Sequence, residues 1–349
     1  MRSSEQQITT LLIEGSNKQG QLGITQQQTD LKEHNYGVKI LNIACGGYFT
    51  LLLLETQQCC LLGFNITKLI DIPKVELIAC GQWHMVIRTN NGMYVWGNND
   101  DGQLGLGDYE PRNEPEQLEI PLGNVVCGSY HTLIYQSDFL FTFGRGNKGQ
   151  LLVNRDKSCM PIKIEHQNIK LVAAGDYQTF IYSNQLTLNG KVLHYNGIIK
   201  QLSCNNDYSA VVTLDGIAVF WDKSNTIKHH FNNIEQVSMF GSRCYLLKKD
   251  GSVELLDGTI VTRQIIKSIH TGEQHSLFVL LQNSFDSIVN ETLLLSDHRD
   301  VQSQQQESRN YLFYERKIAE LQLALAKKDK QILQLQSELN ALKNNFNVQ

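Results

Sequence analysis

The sequence predicts an all-β fold, a seven-bladed β-propeller over residues 9–282, followed by an α-helical coiled coil over residues 309–347. Three observations lead to this prediction: one short phrase recurs seven times, a second phrase follows it, and the two ends of the repeat region carry complementary halves of the repeat. Residues 1–8 are predicted as an N-terminal tail and residues 283–308 as a polar linker. With 349 residues, of which 41% are hydrophobic, the chain is long enough to bury such a core.

The first phrase consists of a small residue, Cys, Gly, a variable residue, an aromatic residue, His and Thr. It is clearest at residues 44–50, 79–85 and 126–132 (ACGGYFT, ACGQWHM and VCGSYHT), and weaker copies begin at residues 173, 203, 238 and 270. Aliphatic and β-branched stretches stand on both sides of each copy, as is typical of half-buried strands. Each copy therefore predicts the first two strands of a blade and the turn between them.

A hairpin turn is predicted after the second strand. Gly92, Gly216 and Gly251 each follow an Asn or Asp and stand at the same distance from the centre of the preceding phrase. Asn-Gly and Asp-Gly pairs favour the tight turns that join antiparallel strands. The spacing predicts that the repeat register persists where the first phrase is weak.

The second phrase is clearest at residues 93–105 (MYVWGNNDDGQLG) and 141–151 (FTFGRGNKGQL). Residues 11–23 (LLIEGSNKQGQLG) form a copy with no first phrase before it, and residues 272–281 (GEQHSLFVLL) form a first phrase with no second phrase after it. We therefore expect the N- and C-terminal strands to share one blade. Such closure leaves no open sheet edge for aggregation.

Composition excludes several functional classes. The formal net charge is −4 and no run of Lys or Arg occurs, so direct binding to nucleic acid or to an anionic membrane surface is not expected. No apolar run is long enough to span a membrane, and residues 1–10 lack the pattern of a secretory signal. These features predict a soluble, non-secreted protein of the cytoplasm, with the nucleus as the alternative.

The cysteines are predicted to be reduced core residues. None of the eight forms a CxxC pair, and the only close pair, Cys59 and Cys60, is adjacent in sequence. Four others recur at one repeat position, where a small apolar side chain packs an inner strand: Cys45, Cys80, Cys127 and Cys204.

Neither a metal site, a cofactor site nor intrinsic covalent catalysis is predicted. His84, His131 and His275 share a repeat position, but equivalent positions of different blades are spread around a wide ring, whereas zinc needs three or four ligands at bonding distance. We expect these histidines to hydrogen-bond neighbouring turns. The Gly-Gln-Leu-Gly segments lack the strand-to-helix context of a phosphate-binding loop, and no nucleophile elbow or His-Glu-x-x-His helix occurs.

The two phrases resemble the repeats of the regulator of chromosome condensation family. The resemblance is close over residues 81–107 and 128–151 and holds in outline over residues 170–260. It implies a seven-bladed propeller that acts as a protein-binding platform, and the founding member of the family is a nucleotide exchange factor for the small GTPase Ran. A WD-repeat propeller is the weaker alternative, because Trp221-Asp222 is the sole Trp-Asp pair.

Two departures from the family pattern bear on exchange activity. In the exchange factor, acidic side chains in the turns of the second and third blades reach the GTPase, but the matching turns here contain Gln82-Trp83 and Ser129-Tyr130. The segment that matches the nucleotide-displacing wedge, residues 98–107, is an ordinary Gly-Gln-Leu-Gly loop. The predicted function is therefore a protein-interaction propeller that acts as an oligomeric adaptor or regulator. The alternative is a guanine nucleotide exchange factor for a Ran- or Rho-like small GTPase.

Partner-binding candidates lie in the turns of the first phrase. Aromatic residues recur at one turn position of four successive copies, interleaved with polar residues, which is the composition of a protein-binding hot spot. Two carboxylates further along the chain offer a shifted contact for a GTPase. The alternative role of the aromatic residues is to fill gaps between blades. The full set of candidates is Tyr48, Gln82, Trp83, Ser129, Tyr130, Asp176, Tyr177 and Asp207.

A heptad pattern predicts the coiled coil. Apolar residues alternate spacings of three and four, as in a coiled-coil seam. The seam consists of Ile318, Leu321, Leu325, Lys328, Ile332, Leu335, Leu339 and Leu342. Lys328 is a lone charged d residue that restricts register, and Glu338 and Lys343 are placed to pair between parallel chains. A parallel homodimer is favoured, and the alternatives are a partner helix from another protein or packing of this helix against the propeller.

Overall fold

The computed structural model describes residues 8–281, and the predicted linker and coiled coil lie outside the described residues. Every regular element in this range is a β-strand, and the strands form seven four-stranded antiparallel sheets. The prediction of an all-β, seven-bladed propeller is therefore confirmed. We number the blades from the first complete sheet, so that the sheet shared by the two ends of the repeat region is blade 7.

The strands are assigned to blades as follows. Blade 1 consists of β3 (Ile40–Cys45), β4 (Phe49–Leu54), β5 (Cys59–Gly63) and β6 (Ile66–Ile70). Blade 2 consists of β7 (Val75–Cys80), β8 (His84–Thr89), β9 (Met93–Gly97) and β10 (Arg112–Leu118). Blade 3 consists of β11 (Asn124–Cys127), β12 (His131–Tyr135), β13 (Phe139–Arg145) and β14 (Lys157–Glu165). Blade 4 consists of β15 (Leu171–Ala174), β16 (Thr179–Tyr182), β17 (Leu186–Leu188) and β18 (Lys191–Leu193). Blade 5 consists of β19 (Ile199–Cys204), β20 (Tyr208–Thr213), β21 (Ala218–Asp222) and β22 (Ile227–Phe231). Blade 6 consists of β23 (Ile234–Phe240), β24 (Arg243–Lys248), β25 (Val253–Leu255) and β26 (Ile260–Thr262). Blade 7 consists of β27 (Ile266–Thr271), β28 (His275–Leu280), β1 (Thr10–Ser16) and β2 (Gln28–Asn35).

Blade 7 joins the two ends of the repeat region. Its order is β2-β1-β28-β27, so two N-terminal strands complete two C-terminal ones. The antiparallel register pairs Leu11 with Val279 and Ile13 with Leu277. The innermost strand of each blade contacts that of the next, and β27 of blade 7 contacts β3 of blade 1. The ring is closed as the two half-repeats predicted.

The core is divided among the seven interfaces between blades, and each interface contains its own cluster of buried apolar side chains. Successive side chains of a strand point to opposite faces of the sheet, so both faces of a blade are buried. In β8, for example, Met85 and Ile87 pack against blade 1, whereas Val86 packs against blade 3. This arrangement explains why the inner strands are continuous apolar runs rather than alternating ones.

The propeller has two distinct faces. Turns between the first and second strands of neighbouring blades are hydrogen-bonded to each other. For example, the backbone N–H of Gln82 donates to the Ser129 carbonyl oxygen at 3.1 Å. Since successive strands run in opposite directions, the connections between third and fourth strands lie on that same face, which we call the turn face. The opposite face, which we call the hairpin face, contains the connections between second and third strands.

Histidine and threonine side chains clamp neighbouring blades together. The His131 Nε2 atom of blade 3 lies 2.9 Å from the Thr179 Oγ1 atom of blade 4, and the Thr179 hydroxyl donates to the Gln150 carbonyl oxygen at 2.7 Å. The same arrangement joins two other interfaces. Its members are His84, Thr132 and Gln103 between blades 2 and 3, and His275, Thr50 and Gln21 between blades 7 and 1.

The clamp determines which ring nitrogen holds the proton. A threonine hydroxyl has one proton, and in each clamp that proton is donated to a glutamine carbonyl oxygen. The histidine must therefore donate from Nε2–H, as a neutral imidazole. Burial lowers the pKa of His84, His131 and His275 to about 3, in agreement with this assignment. The partners are threonines in strands of the next blade, so the expectation that these histidines bond neighbouring turns was wrong in that detail.

The clamps explain the glycine in the first phrase. A Cβ atom on Gly128 would lie 2.2 Å from the His131 Cε1 atom, which real contacts do not permit. The imidazole packs directly over the glycine backbone. Glycine at this position therefore provides space for the clamp histidine three residues later.

Three of the four interfaces without the histidine have matched residues at the positions of the clamp histidine and threonine. Gln178 accepts a hydrogen bond from Ser209 at 2.8 Å between blades 4 and 5, and Arg243 donates to Ser276 at 3.3 Å between blades 6 and 7. Between blades 1 and 2 the pair is apolar, because Phe49 shares a cluster with Met85. In these three interfaces polar residues face polar residues and apolar residues face apolar ones.

This pattern leads to a stability prediction for His131. Replacing His131 with Ala is expected to lower the free energy of unfolding by about 2–4 kcal/mol, because it leaves a cavity and removes a buried hydrogen bond. His131→Gln should cost only about 1 kcal/mol, since Gln178 already fills the equivalent position in the next blade. Urea unfolding followed by tryptophan fluorescence measures both values. Equal losses for the two variants would contradict the clamp.

The repeated cysteines are core residues. All eight cysteines are free, and Cys45, Cys80 and Cys204 are buried. Burial raises the pKa of the Cys45 thiol to about 12, so this group stays protonated. Its Sγ atom lies 3.5 Å from the His270 carbonyl oxygen of blade 7, and the thiol therefore packs at a blade interface.

Candidate protein-binding face

Loops of unequal length divide the turn face. The connection between third and fourth strands is long in blades 7, 2 and 3, where it spans residues 17–27, 98–111 and 146–156. In blade 1 it is only residues 64–65, and in blade 4 only residues 189–190. Each short turn leaves a depression beside a long loop. Two depressions of this face lie at these two places.

The depression beside blade 1 is an apolar groove of about 740 Å³. Leu61, Met85 and Trp96 form its buried floor, and Phe64, Ile66 and Trp83 stand on its walls. The wall residues are 41%, 47% and 37% exposed, respectively. Large apolar side chains that border a concave surface mark a binding groove. We call this feature the apolar groove.

The turn that places Phe64 in the apolar groove has an unusual backbone. Phe64 and Asn65 have φ values of +52° and +59°, so both adopt the left-handed conformation. Asn tolerates this region, but a bulky residue rarely adopts it. The Asn65 amide donates to the Gln19 carbonyl oxygen of the blade 7 loop at 2.7 Å, which secures the turn. Strain held in this way at a concave surface is typical of binding sites.

The predicted row of aromatic residues forms two pairs. Tyr48 stacks on Trp83 with 4.6 Å between ring centroids, and Tyr130 lies 6.2 Å from Tyr177. The Arg145 guanidinium carbon lies 3.9 Å from the Tyr130 ring centre, in the geometry of a cation–π contact. Trp83 and Tyr130 both line the apolar groove, so the groove connects the two pairs.

Arg145 is itself held in place by an ion pair. Its Nε and Nη2 atoms lie 3.0 and 2.7 Å from the two carboxylate oxygens of Asp101, which is a bidentate arrangement. This pairing raises the pKa of Arg145 above its ordinary value. Arg145 therefore stays charged and is held in a fixed position against the face of the Tyr130 ring.

The polar candidates are joined to other residues of the turn face by hydrogen bonds and an ion pair. Gln82 donates to the Glu273 carboxylate of blade 7, and the hydroxyl of Ser129 donates to Asp176. Ser129 is only 2% exposed, so it orients Asp176 rather than offering a free surface. Burial raises the pKa of the Asp176 carboxyl above its ordinary value. Asp207, in contrast, is half-exposed and pairs with Lys223 at 3.1 Å.

Sequence reasoning missed several residues of this face. Glu273 stands at the same turn position as Gln82 and Asp176, so the repeat alignment contained the signal for it. Phe64 and Ile66 had no such signal, because the short turn of blade 1 departs from the repeat. Arg145 lies within the second phrase, but only the fold brings it over Tyr130.

The described residues contain no grouping typical of a metal centre. Within residues 8–281, no three side chains of His, Cys, Asp or Glu converge as metal ligands would. In the same range, no helix has the length and apolar character needed to cross a lipid bilayer. The chemistry of the turn face is that of apolar contact, aromatic stacking and fixed charge.

Comparison with known proteins agrees with this description. Two family models, both described as the regulator of chromosome condensation (RCC1) repeat, match residues 75–103 and 90–135. The human X-linked retinitis pigmentosa GTPase regulator is 49% identical over 47 residues, 13% of this chain and 5% of that protein. The probable E3 ubiquitin-protein ligase HERC4 from human is 36% identical over 73 residues, 20% of this chain and 7% of that protein. The chain spans between 5% and 14% of the curated relatives it matches.

Solved structures show the same fold. The crystal structure of human WBSCR16 superimposes with a TM-score of 0.65 at 16% identity, covering 78% of this chain and 98% of that one. Prp20p from Saccharomyces cerevisiae gives a TM-score of 0.66 at 15% identity, covering 84% of this chain and 96% of that one. The chain thus shares the seven-bladed β-propeller fold of these structures, and RCC1 repeats are matched in blades 2 and 3.

Proposed function

We propose that this protein is a non-enzymatic interaction module, an adaptor or regulator that binds a protein partner through the turn face. The observation that supports this most directly is the apolar groove, in which Phe64, Ile66 and Trp83 stand exposed above a buried floor. Hot spots of protein interfaces are rich in such aromatic anchors, and they lie in concave sites that exclude water. Phe64 also has a strained, left-handed backbone, and strain of this kind clusters at ligand-binding surfaces.

The groove also suggests the chemistry of the partner. Its apolar walls favour an exposed segment that inserts an aliphatic or aromatic side chain between Ile66 and Trp83. Asp100 lines the groove and has no ion-pair partner within residues 8–281. A Lys or Arg next to the inserted side chain would complement that carboxylate. The proposed ligand is therefore a short apolar segment with an adjacent basic residue.

Dimerisation through the predicted coiled coil remains part of the proposal. A parallel homodimer would place two propellers in one assembly and convert weak single contacts into avid binding.

We propose the cytoplasm as the location of the protein, with the nucleus as the alternative. Neither nucleic acid nor a lipid surface is proposed as a direct partner.

A guanine nucleotide exchange factor is the second candidate. The turn face has carboxylates of the kind that contact a GTPase, namely Asp176, Asp207 and the previously unpredicted Glu273. Relatives support this direction, since one is a GTPase regulator in human and Prp20p is described by its binding properties to Gsp1p and histones. Such a propeller would accelerate nucleotide release by binding the nucleotide-free GTPase more tightly, without forming a covalent bond.

Substitutions in the groove test the interaction proposal. Phe64→Ala and Trp83→Ala are expected to reduce partner recovery at least about tenfold in quantitative affinity purification, because truncated hot spots cost 2 kcal/mol or more. Leu214→Ala is the matched control, since Leu214 is 63% exposed in a hairpin-face turn. Melting temperatures should stay within a few degrees. Partners that all three variants retain equally would overturn the groove as the binding site.

A fluorescent-GDP release assay separates the two candidates. The full chain, shown to be folded, is added to a panel of Ran- and Rho-like GTPases. Accelerated release that is lost in Asp207→Asn or Glu273→Gln supports the exchange factor. No acceleration across the panel supports the adaptor.

A further inference from the structure

The second depression of the turn face is positively charged, although the chain as a whole has a net charge of −4. It has a volume of about 600 Å³ and lies beside the short turn of blade 4. Lys148 from the blade 3 loop, Lys191 from β18 and Lys223 from the blade 5 turn line it together. We call this feature the lysine cleft.

The charges of the lysine cleft are only partly neutralised. Within residues 8–281, Lys148 and Lys191 have no ion-pair partner. Lys223 pairs with Asp207, but both side chains are more than half exposed, so this pair is weak and exchangeable. Asp222, next to Lys223, is satisfied by Lys228 and by the hydroxyl and amides of its own turn. The cleft therefore has an excess of positive charge.

The framework of the lysine cleft is already in place. Asn189 donates from its side-chain amide to the carbonyl oxygens of Lys148 and Tyr177, each at 3.1 Å. Its Oδ1 atom accepts the Thr179 amide at 2.7 Å. The Asn189 side chain thus ties the blade 3 loop to the blade 4 segment on one side of the cleft. A preformed site loses little conformational entropy when it binds a ligand.

The donor set matches a phosphate monoester. Three lysines from three blades line the cleft, and Asn206 and Asn225, which also line it, have side-chain amides that can donate as neutral groups. A phosphate dianion accepts several charge-assisted hydrogen bonds, whereas a single carboxylate offers fewer acceptor positions and one charge. The volume of the cleft accommodates a phosphorylated side chain with its flanking backbone.

The position of the cleft favours a peptide as the source of the phosphate. Tyr177 lines the lysine cleft, and its ring contacts Tyr130, which lines the apolar groove. The two sites are therefore adjacent along the turn face, and an extended segment can occupy both. We propose that the lysine cleft binds a phosphoserine or phosphothreonine residue of a protein partner. The choice of a peptide as the ligand rests on the proposed function. The inference that the cleft binds a phosphate group depends only on its three lysines.

The test uses a degenerate phosphoserine and phosphothreonine peptide library, with its dephosphorylated copy as the comparison. Selected sequences are measured by fluorescence anisotropy with the full chain. We expect phosphorylated peptides to bind at least about tenfold more tightly than their dephosphorylated forms. The triple variant Lys148→Ala, Lys191→Ala, Lys223→Ala should lose at least about tenfold in affinity for the phosphorylated form.

A second triple variant controls for charge alone. Lys18→Ala, Lys163→Ala, Lys267→Ala removes the same charge from exposed positions outside the cleft and should bind within about twofold of the unaltered chain. Equal binding of both peptide forms would overturn the proposal, as would unchanged binding by the first triple variant with an unchanged melting temperature. Free O-phosphoserine is measured in parallel. If it binds as tightly as the best peptide, the peptide source is wrong.

Trp83→Ala separates this proposal from the proposed function. It should weaken total peptide affinity while the ratio between phosphorylated and dephosphorylated forms stays the same. Retention of that ratio supports the lysine cleft even where the apolar groove binds nothing. Loss of the ratio in Trp83→Ala would show that the phosphate is recognised elsewhere.

Discussion

Removal of residues 1–36 is expected to unfold the entire propeller, although it deletes only about one-tenth of the chain. The deletion takes away β1 and β2, which form the outer half of blade 7. Leu11 and Ile13 are fully buried against blade 1, and Leu12 is buried against blade 6. Burial of three such side chains contributes about 5–9 kcal/mol, which equals the whole stability of many domains.

The loss should spread because each blade depends on its neighbours. Without β1, the backbone of β28 becomes an exposed sheet edge, and the Thr50–His275 clamp loses the Gln21 carbonyl oxygen. Thermal unfolding followed by circular dichroism measures the effect. A synthetic peptide of residues 8–36, added in trans, should restore the cooperative transition. A truncated chain that melts within a few degrees of the full chain would contradict this account.

Acid is expected to destabilise the propeller well above the usual carboxylate range. The three clamp histidines have a pKa of about 3 in the folded protein, whereas an unfolded histidine has a pKa near 6.5. Between these values the unfolded chain binds protons that the folded chain does not, so stability falls as pH decreases through this window. At pH 5 the loss is roughly 2 kcal/mol per histidine, or roughly 6 kcal/mol for the three clamps.

Other groups adjust this value in known directions. Burial lowers the pKa of His270 to about 4, so this histidine adds to the acid sensitivity. Asp176 acts in the opposite direction, because burial raises the pKa of its carboxyl. Urea unfolding at pH 7.5 and pH 5.0 measures the total. The His131→Gln variant should show a difference between the two pH values that is smaller by about 2 kcal/mol. An identical difference in both proteins would show that His131 is protonated in the fold.

Much of the fold could be predicted because the recurring residues of the two phrases pack and hydrogen-bond at the interfaces between blades. The histidine, threonine and glycine of the first phrase and the glutamine of the second meet in one clamp, so each interface repeats the same residues. The prediction failed in one detail, because the histidines bond threonines in strands of the next blade and not the neighbouring turns. A repeat alignment places the histidine and the threonine of one phrase side by side, so it does not show that each pairs with a residue of another blade.

The binding face was predictable in part. Trp83 and Tyr130 were identified by recurrence, and the structure places both at the apolar groove. Phe64 was missed because it stands where the repeat is interrupted. The lysine cleft was missed because its three lysines are isolated in sequence and come from three blades. Recurrence therefore identified the groove residues that belong to the repeat, whereas Phe64 and the three lysines stand at positions where the blades differ.

The sequence by itself determined the number of blades, the sharing of blade 7 and the absence of a catalytic motif. These properties depend on local patterns, since strand periodicity, turn residues and repeat spacing act within about forty residues. The tertiary structure alone decided which long loops stand beside short turns, and thus where the apolar groove and the lysine cleft open. Those sites combine side chains from separate blades, and their positions follow from closure of the ring, which brings distant residues such as Glu273 and Gln82 into contact.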